Sequence, residues 1–501
     1  MSTDPANATP HDDKAQSLIL RGSGSAAAGL IIRVGARILF LVIAARLFGA
    51  ALFGAYTLAI AVVELWVTVG GLGMKRILFK LLDEDESGRP PAHIVLDAAL
   101  VVGTVSLGLA ALTMLVVAIP PFDRLSGETG AALLIVAPMI AGQALLDLFL
   151  AATRWKHRMR YEVVSRSIVE PYAAMATAAA AWFAGFEETG LLISYWAGTL
   201  LALAYAIWGT HLSFGSLALR TWHLDRGRIG SIFREGAVPM VNDLVSGLFA
   251  RLDLYLVGLF LGESPAGIYG MARQIRTPIR QVRQSFDGLL TPIVARTLAA
   301  SGPQETGVAL ASAARLILAI QLSILVMLAV IGLPLLDWLG PEFALGYLAM
   351  LLLAIAETIQ GAFGVSDLIF LYRQPTTVLR ITLATILVNL AVGSLLIGPL
   401  GIDGAALATL AAYAAGAIVR RHLLQSRFGL RIPLHYSVGP VIAAALAIPA
   451  AVATEYFLSP APVLAVTGVA LVAALLVYAA ALRLWLILAG ESLALVKFQT
   501  D

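Results

Sequence analysis

A run of arginines at helical spacing is the first feature of this sequence that could do chemistry. Between Tyr269 and Pro292 the chain carries Arg273, Arg276, Arg280, Arg283 and Asp287. At the helical rotation of about 100° per residue, all five share one arc of about 80°. An arginine at the centre of a bilayer costs roughly 2.5 to 3.5 kcal/mol on insertion scales, so a membrane helix cannot turn this face to lipid. The spacing predicts a charged stripe that faces a protein-lined cavity.

Guanidinium groups suit an anionic ligand, because they present a planar fork of donors and stay charged inside a cleft. The four arginines therefore predict the binding of a phosphate-bearing molecule. Gln284, beside the stripe, adds a donor and an acceptor for neutral polar groups. A structural alternative stays open. Arg283 and Asp287 have the i, i+4 spacing of an ion pair, and the other arginines would then pair with carboxylates of neighbouring helices.

The first apolar segment holds two further arginines, Arg33 and Arg37, which also stand at i, i+4 spacing. Like charges so placed repel each other unless an anion lies between or beside them. Both arginines are therefore candidates for substrate binding. The alternative is that Glu64 or Glu170 neutralises them in a fixed bridge.

Carboxylates inside apolar segments are candidates for coupling transport to an ion. By position in their segments, the candidates are Glu357, Glu64, Glu170 and Asp243. Glu357 is the first choice, because Thr358 and Gln360 make a polar cluster with it in an otherwise apolar helix. Permanent pairing is the alternative, between Arg251 and Asp253 and between Glu357 and Arg276 or Arg280.

The composition indicates a polytopic helical membrane protein. Of the 501 residues, 59% are hydrophobic and 13% charged, and the mean hydropathy is +0.87; these values exclude a soluble globular class. No cysteine is present and the seven histidines are scattered, so neither a disulfide nor a zinc-spaced cluster is expected. We predict no catalytic residue, no metal site and no nucleic-acid partner.

Apolar runs of about 20 residues can cross a bilayer, and fourteen are predicted. They lie near 26–47, 54–73, 94–119, 131–152, 163–184, 191–211, 236–261, 266–293, 317–336, 344–371, 382–398, 402–418, 437–457 and 463–482.

The positive-inside rule supports this topology. With both termini cytoplasmic, the inner segments hold 25 lysines and arginines, whereas the outer loops hold only Arg46 and Arg124. If the arginine-rich eighth span did not cross, the basic segment 419–436 would face outward. The loop charges therefore predict that the stripe crosses the membrane.

A motif that occurs twice predicts that the chain consists of two similar halves. Gly49, Gly54 and Tyr56 recur as Gly262, Gly267 and Tyr269, offset by 213 residues. Six spans per half give two pseudo-symmetric lobes in the same orientation. The predicted organisation is a disordered cytoplasmic tail (1–17), an N-lobe (18–211), a cytoplasmic linker (212–234), a C-lobe (235–425), and two further helices with the C-terminus (426–501).

Four short motifs lie at the ends of predicted spans or in the turns between them. They are RLFG at 46–49, FGAY at 53–56, GLG at 71–73 and PLGIDGAA at 399–406. In their order and spacing the chain resembles the polysaccharide or oligosaccharide flippases of the multidrug/oligosaccharidyl-lipid/polysaccharide (MOP) exporter superfamily. The resemblance implies a bacterial inner-membrane transporter that flips an undecaprenyl-diphosphate-linked oligosaccharide by alternating access, not an enzyme.

The resemblance also implies the partners: the lipid-linked oligosaccharide, membrane lipids and other polysaccharide-assembly membrane proteins. The only cofactor expected is a coupling ion, H⁺ or Na⁺. A lipid II flippase and a cation-coupled multidrug antiporter of the same superfamily are the alternatives. Seven intramembrane arginines argue against the antiporter, because cationic drugs call for acidic sites. A membrane enzyme is disfavoured, because the outer loops are too short to hold a catalytic domain.

Overall fold

The computed structural model describes residues 35–84, 89–119, 122–215, 221–286, 290, 302–430, 433–458 and 463–489. Over these ranges the chain consists of helices and short turns, without a β-strand. The all-α polytopic fold predicted from composition is therefore confirmed. The predicted tail 1–17 lies outside the described residues, as do Arg33 and Asp287.

The helices of the N-terminal half follow closely upon one another. They are α1 (35–48), α2 (Gly49–Gly70), α3 (Met74–Asp83), α4 (Pro91–Ala118), α5 (Phe122–Val136), α6 (Met139–Trp155), α7 (Arg160–Val164), α8 (Glu170–Phe183), α9 (Gly190–Phe214) and α10 (Arg226–Phe249). Two π-helical turns interrupt this series, Ala44–Phe48 at the end of α1 and Ser165–Val169 between α7 and α8.

The C-terminal half continues the all-helical pattern. Its helices are α11 (Leu252–Leu261), α12 (Glu263–Ile275), α13 (277–286), α14 (Gly302–Leu339), α15 (Tyr347–Gly364), α16 (Asp367–Arg373), α17 (Pro375–Phe428), α18 (His435–Leu458) and α19 (Val463–Ala489). A 3₁₀ turn, Pro341–Gly346, precedes α15.

Glycines in the left-handed half of φ space mark the helical hairpins. Gly49 (φ 70°, ψ −179°) and Gly262 (φ 85°, ψ −165°) have nearly the same backbone conformation, as the repeated motif predicts. Each hairpin brings residues 16 positions apart into contact, Phe40 with Tyr56 and Asp253 with Tyr269. A residue with a Cβ is strained at such φ values, which explains the glycine.

The same kind of break divides α17. Gly401 has φ 59° and ψ −136°, and Asn389 hydrogen-bonds to Thr409 across it, so the chain folds back on itself. A straight helix of this length would measure about 80 Å, well beyond the roughly 30 Å hydrocarbon core of a bilayer. Hence α17 holds two spans.

Eight described helices are long and apolar enough to cross a membrane, or up to ten when two bent pairs each count as one span. Two of the eight, 35–83 and 376–428, run through the breaks at Gly49 and Gly401 and so each contain two spans. Across all fourteen predicted spans, the described residues are helical apart from short turns.

The chain forms two compact units, residues 1–247 (unit 1) and 248–501 (unit 2). In unit 1, α3, α4, α6, α9 and α10 enclose a core that includes Leu78, Ile94, Leu146 and Ile232. In unit 2, α14 packs against α18 and α19 through small residues such as Ala443, Ala447, Ala470 and Ala474. Small side chains let helix backbones approach closely, which is the usual packing in membranes.

Helix α3 is amphipathic and docks on α10 within unit 1. Met74, Ile77, Leu78, Leu81 and Leu82 are buried at the i, i+3, i+4, i+7, i+8 spacing of one helical face. The preceding turn touches α10 closely: a Cβ on Gly73 would lie 2.8 Å from Cβ of Pro239, and one on Gly236 would lie 2.3 Å from the carbonyl of Leu72. Glycine is therefore required on both sides of this contact.

Candidate functional site

The arginine stripe lies on two helices, not one. Helix α12 ends at Ile275, Arg276 forms a turn, and α13 begins at 277. Pro278 explains the break, since it has no N–H to bond the carbonyl of Gln274, and its ring crowds that carbonyl. The amide of Ile279 instead bonds the carbonyl of Arg276. The predicted stripe assumed regular helical steps from Arg273 to Arg283; the break turns successive arginines toward different neighbours.

Arg276 and Glu357 form a buried ion pair between the α12–α13 turn and α15. The Arg276 guanidinium donates from Nη1 to Oε1 of Glu357, and both side chains are only 5% exposed. A buried charge pair of this kind is stable only while both partners remain. The structure therefore brings together one predicted substrate-binding arginine and the first-choice ion-coupling carboxylate.

Arg273 is fixed against α11. Its Nε lies 3.4 Å from Oδ2 of Asp253, and its Nη2 donates to the carbonyl of Ala250. The hydroxyl of Tyr269 donates to the same Asp253 oxygen at 2.9 Å. Asp253 thus ties α12 to α11 just inside the Gly262 hairpin.

Arg283 reaches α15 further along the stripe. Its Nη2 donates to the carbonyl of Gly364 at 3.2 Å, and a Cβ on Gly364 would lie only 2.7 Å from Nη1. Gly364 makes room for the guanidinium. Gln284, the predicted contact for neutral polar groups, is exposed on the surface of α13. The predicted partner of Arg283, Asp287, lies outside the described residues.

Arg280 differs from these three arginines. It is partly buried on α13, within electrostatic range of Glu357, Arg276 and Tyr413. Among the residues that the structure describes, no side chain or carbonyl accepts a hydrogen bond from it and no carboxylate forms an ion pair with it. Of the three guanidinium groups Arg273, Arg276 and Arg280, the first two are thus paired with Asp253 and Glu357, and the third has no carboxylate of its own among the described residues.

In unit 1, the two predicted carboxylates nearest Arg37 have different surroundings. Glu64 is exposed on α2, within electrostatic range of Tyr56 and Tyr195. Glu170, at the start of α8, hydrogen-bonds to Arg166 and to Gln143. Arg37 is also within electrostatic range of Tyr56. Arg33 lies outside the described residues, so the structure describes only Arg37 of these two predicted substrate-binding residues.

Arg166 is a central residue that the sequence analysis missed. Its Nη1 donates to Oε2 of Glu170 at 2.7 Å and to Oε1 of Gln143 at 3.2 Å, and its Nη2 donates to Oδ1 of Asp147. Lys75 adds a second cation, 2.8 Å from Oδ2 of Asp147. Arg166 lies in the π-helical turn Ser165–Val169, a local form that is frequent at functional sites. The signal in the sequence is its i, i+4 spacing to Glu170.

Asp243, the fourth predicted ion-coupling carboxylate, is paired with α3. Its Oδ1 lies 2.6 Å from Nη2 of Arg76. A parallel ion pair joins Lys80 and Glu235 at 3.1 Å one turn further along α3. Among the described residues, no group of three or more His, Asp or Glu side chains is arranged to hold a metal ion.

Comparison with known proteins places this chain in a family. A family model described as "Polysaccharide biosynthesis protein" matches residues 19–298, more than half of the chain. The probable low-salt glycan biosynthesis flippase Agl15 of Haloferax volcanii is 24% identical over 250 residues, which make up 48% of this chain. The match covers 50% of that relative, so the chain spans half the length of this curated protein.

Two solved structures share the fold. Lipid II flippase MurJ in an inward closed conformation matches with a TM-score of 0.75 and 13% identity, covering 93% of this chain and all of that one. An inward-facing multidrug resistance MATE family transporter of the MOP superfamily matches with a TM-score of 0.66 and 12% identity, covering 80% of this chain and 98% of that one. The chain therefore belongs to the polysaccharide biosynthesis protein family and has the fold of the MOP superfamily transporters, as the sequence motifs predicted.

Proposed function

We propose that this protein flips a polyprenyl-diphosphate-linked oligosaccharide across a membrane by alternating access. The family match and the flippase relative support glycan export as the process. The arginines of unit 2 supply the group that a diphosphate needs, because a planar guanidinium fork binds phosphate oxygens through two bonds at once. In this proposal the membrane is the bacterial inner membrane and the lipid is undecaprenyl diphosphate.

Arg280 is the observation that carries this proposal. A partly buried guanidinium without a protein acceptor in the described chain is costly, because both its charge and its donors are unsatisfied. A diphosphate that visits the site would satisfy both. Arg280 therefore receives the anion, and Arg276, within electrostatic range of it, is the next group to be recruited.

Recruitment of Arg276 explains how an ion becomes coupled to transport. Arg276 is held by Glu357 in the described structure, so a diphosphate that binds Arg276 competes with that carboxylate. Once released, Glu357 is a buried carboxylate without a counter-charge, and it then binds H⁺ or Na⁺. The substrate and the coupling ion thus exchange at a single ion pair. Arg33 and Arg37 stay candidate substrate-binding residues in this proposal.

The test is glycan export in cells that carry Arg280→Ala in place of the native gene. We expect at least about a tenfold loss of surface glycan, the equivalent of roughly 1.4 kcal/mol in transition-state stabilisation, with accumulation of the lipid-linked precursor. Arg280→Lys should keep part of the export, because it retains the charge but loses the fork. Arg427→Ala is the control: Arg427 is exposed on α17, and its Nη1 donates to Oε1 of Gln374, so the variant also removes a guanidinium group but not one of the arginine stripe.

Normal surface glycan in Arg280→Ala cells, with the chain present in the membrane at its usual level, contradicts the proposal. Accumulation of lipid II in place of a glycan-export precursor would assign the protein to peptidoglycan assembly instead.

A further inference from the structure

Unit 1 holds a polar cavity that is lined by its own residues alone. It has a volume of about 350 Å³ and lies where the end of α2, the start of α3, α6 and α10 meet. Cavities of roughly 300 to 1,000 Å³ are typical of small-molecule sites. Its polar lining consists of Thr68, Lys75, Arg76, Asp147, Asp243 and Ser246.

The charges of this lining are balanced in pairs. Lys75 lies 2.8 Å from Asp147, and Arg76 lies 2.6 Å from Asp243. An anion entering the cavity meets two carboxylates, and a cation meets an ammonium and a guanidinium group. Because each of these charges is already paired, the wall has no surplus charge that would attract either ion, and a third charge brought close to a pair is opposed by the like-charged member. A neutral polar ligand meets no such barrier.

The wall retains hydrogen-bonding capacity of both kinds. A lysine has three donors and an arginine five, and each of the two ion pairs uses one donor. The carboxylate of Asp243 can accept more bonds than the one from Arg76. The hydroxyls of Thr68 and Ser246 donate to carbonyls four residues back, at 3.0 and 2.8 Å, so their oxygens remain acceptors. Donors and acceptors thus stand side by side around one small cavity.

Apolar side chains complete the lining. Val67, Met74 and Leu148 lie between the charged groups. A sugar ring matches this mixture, because its hydroxyls both donate and accept hydrogen bonds while its C–H face is apolar. A phosphate matches only the polar groups of the lining, and a simple hydrocarbon chain matches only the apolar ones.

We propose that this cavity binds a neutral sugar unit of the transported glycan, an inference that rests on the proposed function. Asp243, which the sequence suggested as an ion-coupling residue, here accepts hydrogen bonds from sugar hydroxyls, with Arg76 and Lys75 as donors. The sugar is thus recognised by the balanced ion pairs of unit 1.

The chain offers a closely matched control for this site. Glu235 and Asp243 both lie on α10, both pair with a cation of α3, and their side chains are 25% and 24% exposed. Only Asp243 lines the 350 Å³ cavity. Glu235→Gln and Asp243→Asn therefore remove the same charge from equivalent ion pairs, and they differ in contact with the proposed ligand.

The experiment measures equilibrium binding of two probes to the purified full-length chain in lipid nanodiscs. One probe is undecaprenyl diphosphate, and the other is undecaprenyl diphosphate that carries a neutral disaccharide. We expect Asp243→Asn to weaken binding of the glycosylated probe about tenfold, because a neutral amide oxygen accepts a weaker hydrogen bond than a carboxylate and no longer forms the ion pair that holds Arg76. Binding of the bare diphosphate should change less than twofold. Glu235→Gln should leave both affinities unchanged.

The inference is overturned if Asp243→Asn weakens the binding of both probes equally, or if it weakens the binding of neither. It is also overturned if the wild-type chain binds the two probes with equal affinity, an outcome that leaves the proposed flippase function standing. If the wild-type chain binds neither probe, the proposed function fails and the sugar site fails with it.

Discussion

The two units hold their membrane charges in opposite ways. In unit 2, Arg276 and Glu357 form a sealed pair, each 5% exposed, while Arg280 has no acceptor among the described residues. In unit 1, Arg166 is shared by Asp147 and Glu170, and the three side chains are between 14% and 25% exposed. Cations outnumber carboxylates at the first site, whereas Lys75 and Arg166 balance Asp147 and Glu170 at the second.

Arg280 therefore has an unpaired charge that a ligand can neutralise, whereas the charges around Arg166 neutralise one another. A balanced network needs nothing from outside and orients its members, here through five hydrogen bonds and ion pairs around Arg166 and Gln143. A surplus guanidinium in a low-dielectric site has a free-energy cost that only an anion can offset. Binding of the anionic part of a substrate is therefore expected to be most favourable in unit 2.

Removal of Glu357 should have the largest effect on stability. Glu357→Ala leaves Arg276 as a buried cation without its partner, so we expect the chain to lose about 3 to 5 kcal/mol of stability. Thermal unfolding in detergent measures this loss. The double variant Glu357→Leu with Arg276→Met should recover most of it, because replacing both charges by apolar groups is often neutral. A single Glu357 variant as stable as wild type would show that the pair is not the sealed contact described here.

Removal of Arg166 should cost less. Arg166→Ala strands two carboxylates, but Lys75 still pairs with Asp147, Gln143 still donates to Glu170, and all are partly exposed. We expect a loss of about 1 to 3 kcal/mol in the same unfolding measurement, the range for leaving buried acceptors unsatisfied. If Arg166→Ala proved more damaging than Glu357→Ala, the contrast between an open network and a sealed pair would be wrong.

The sequence predicted the helical architecture well, because hydropathy, loop charge and glycine position all reflect local physical requirements. The glycines at 49, 262 and 401 stood at predicted junctions, and each has a positive φ that a side chain would strain. Helical periodicity placed the arginines on one face, yet it assumed a continuous helix. The turn at Arg276, just before Pro278, redirected the guanidinium groups.

Pairing across helices was predicted less well. Glu357 with Arg276 was among the alternatives, since both were midway through their spans. Arg273 with Asp253, and Arg166 with Asp147, depend on which helices pack together, and spacing along the chain does not determine that. The contacts of α3 with α10 were not predicted either. Helix α3 is a short basic segment between two predicted spans, although its apolar residues follow a helical period.

The central claim is that Arg280 is kept for an anionic ligand and contributes little to the fold. Ligand-dependent thermal stabilisation of the purified chain by undecaprenyl diphosphate tests it directly. The wild-type chain should be stabilised by about 2.7 kcal/mol when the lipid is at one hundred times its dissociation constant. Arg280→Ala should unfold within about 1 kcal/mol of wild type without the lipid, and should lose most of the stabilisation when it is present. A variant that unfolds early without the lipid, or one that the lipid stabilises as much as the wild-type chain, would contradict the account.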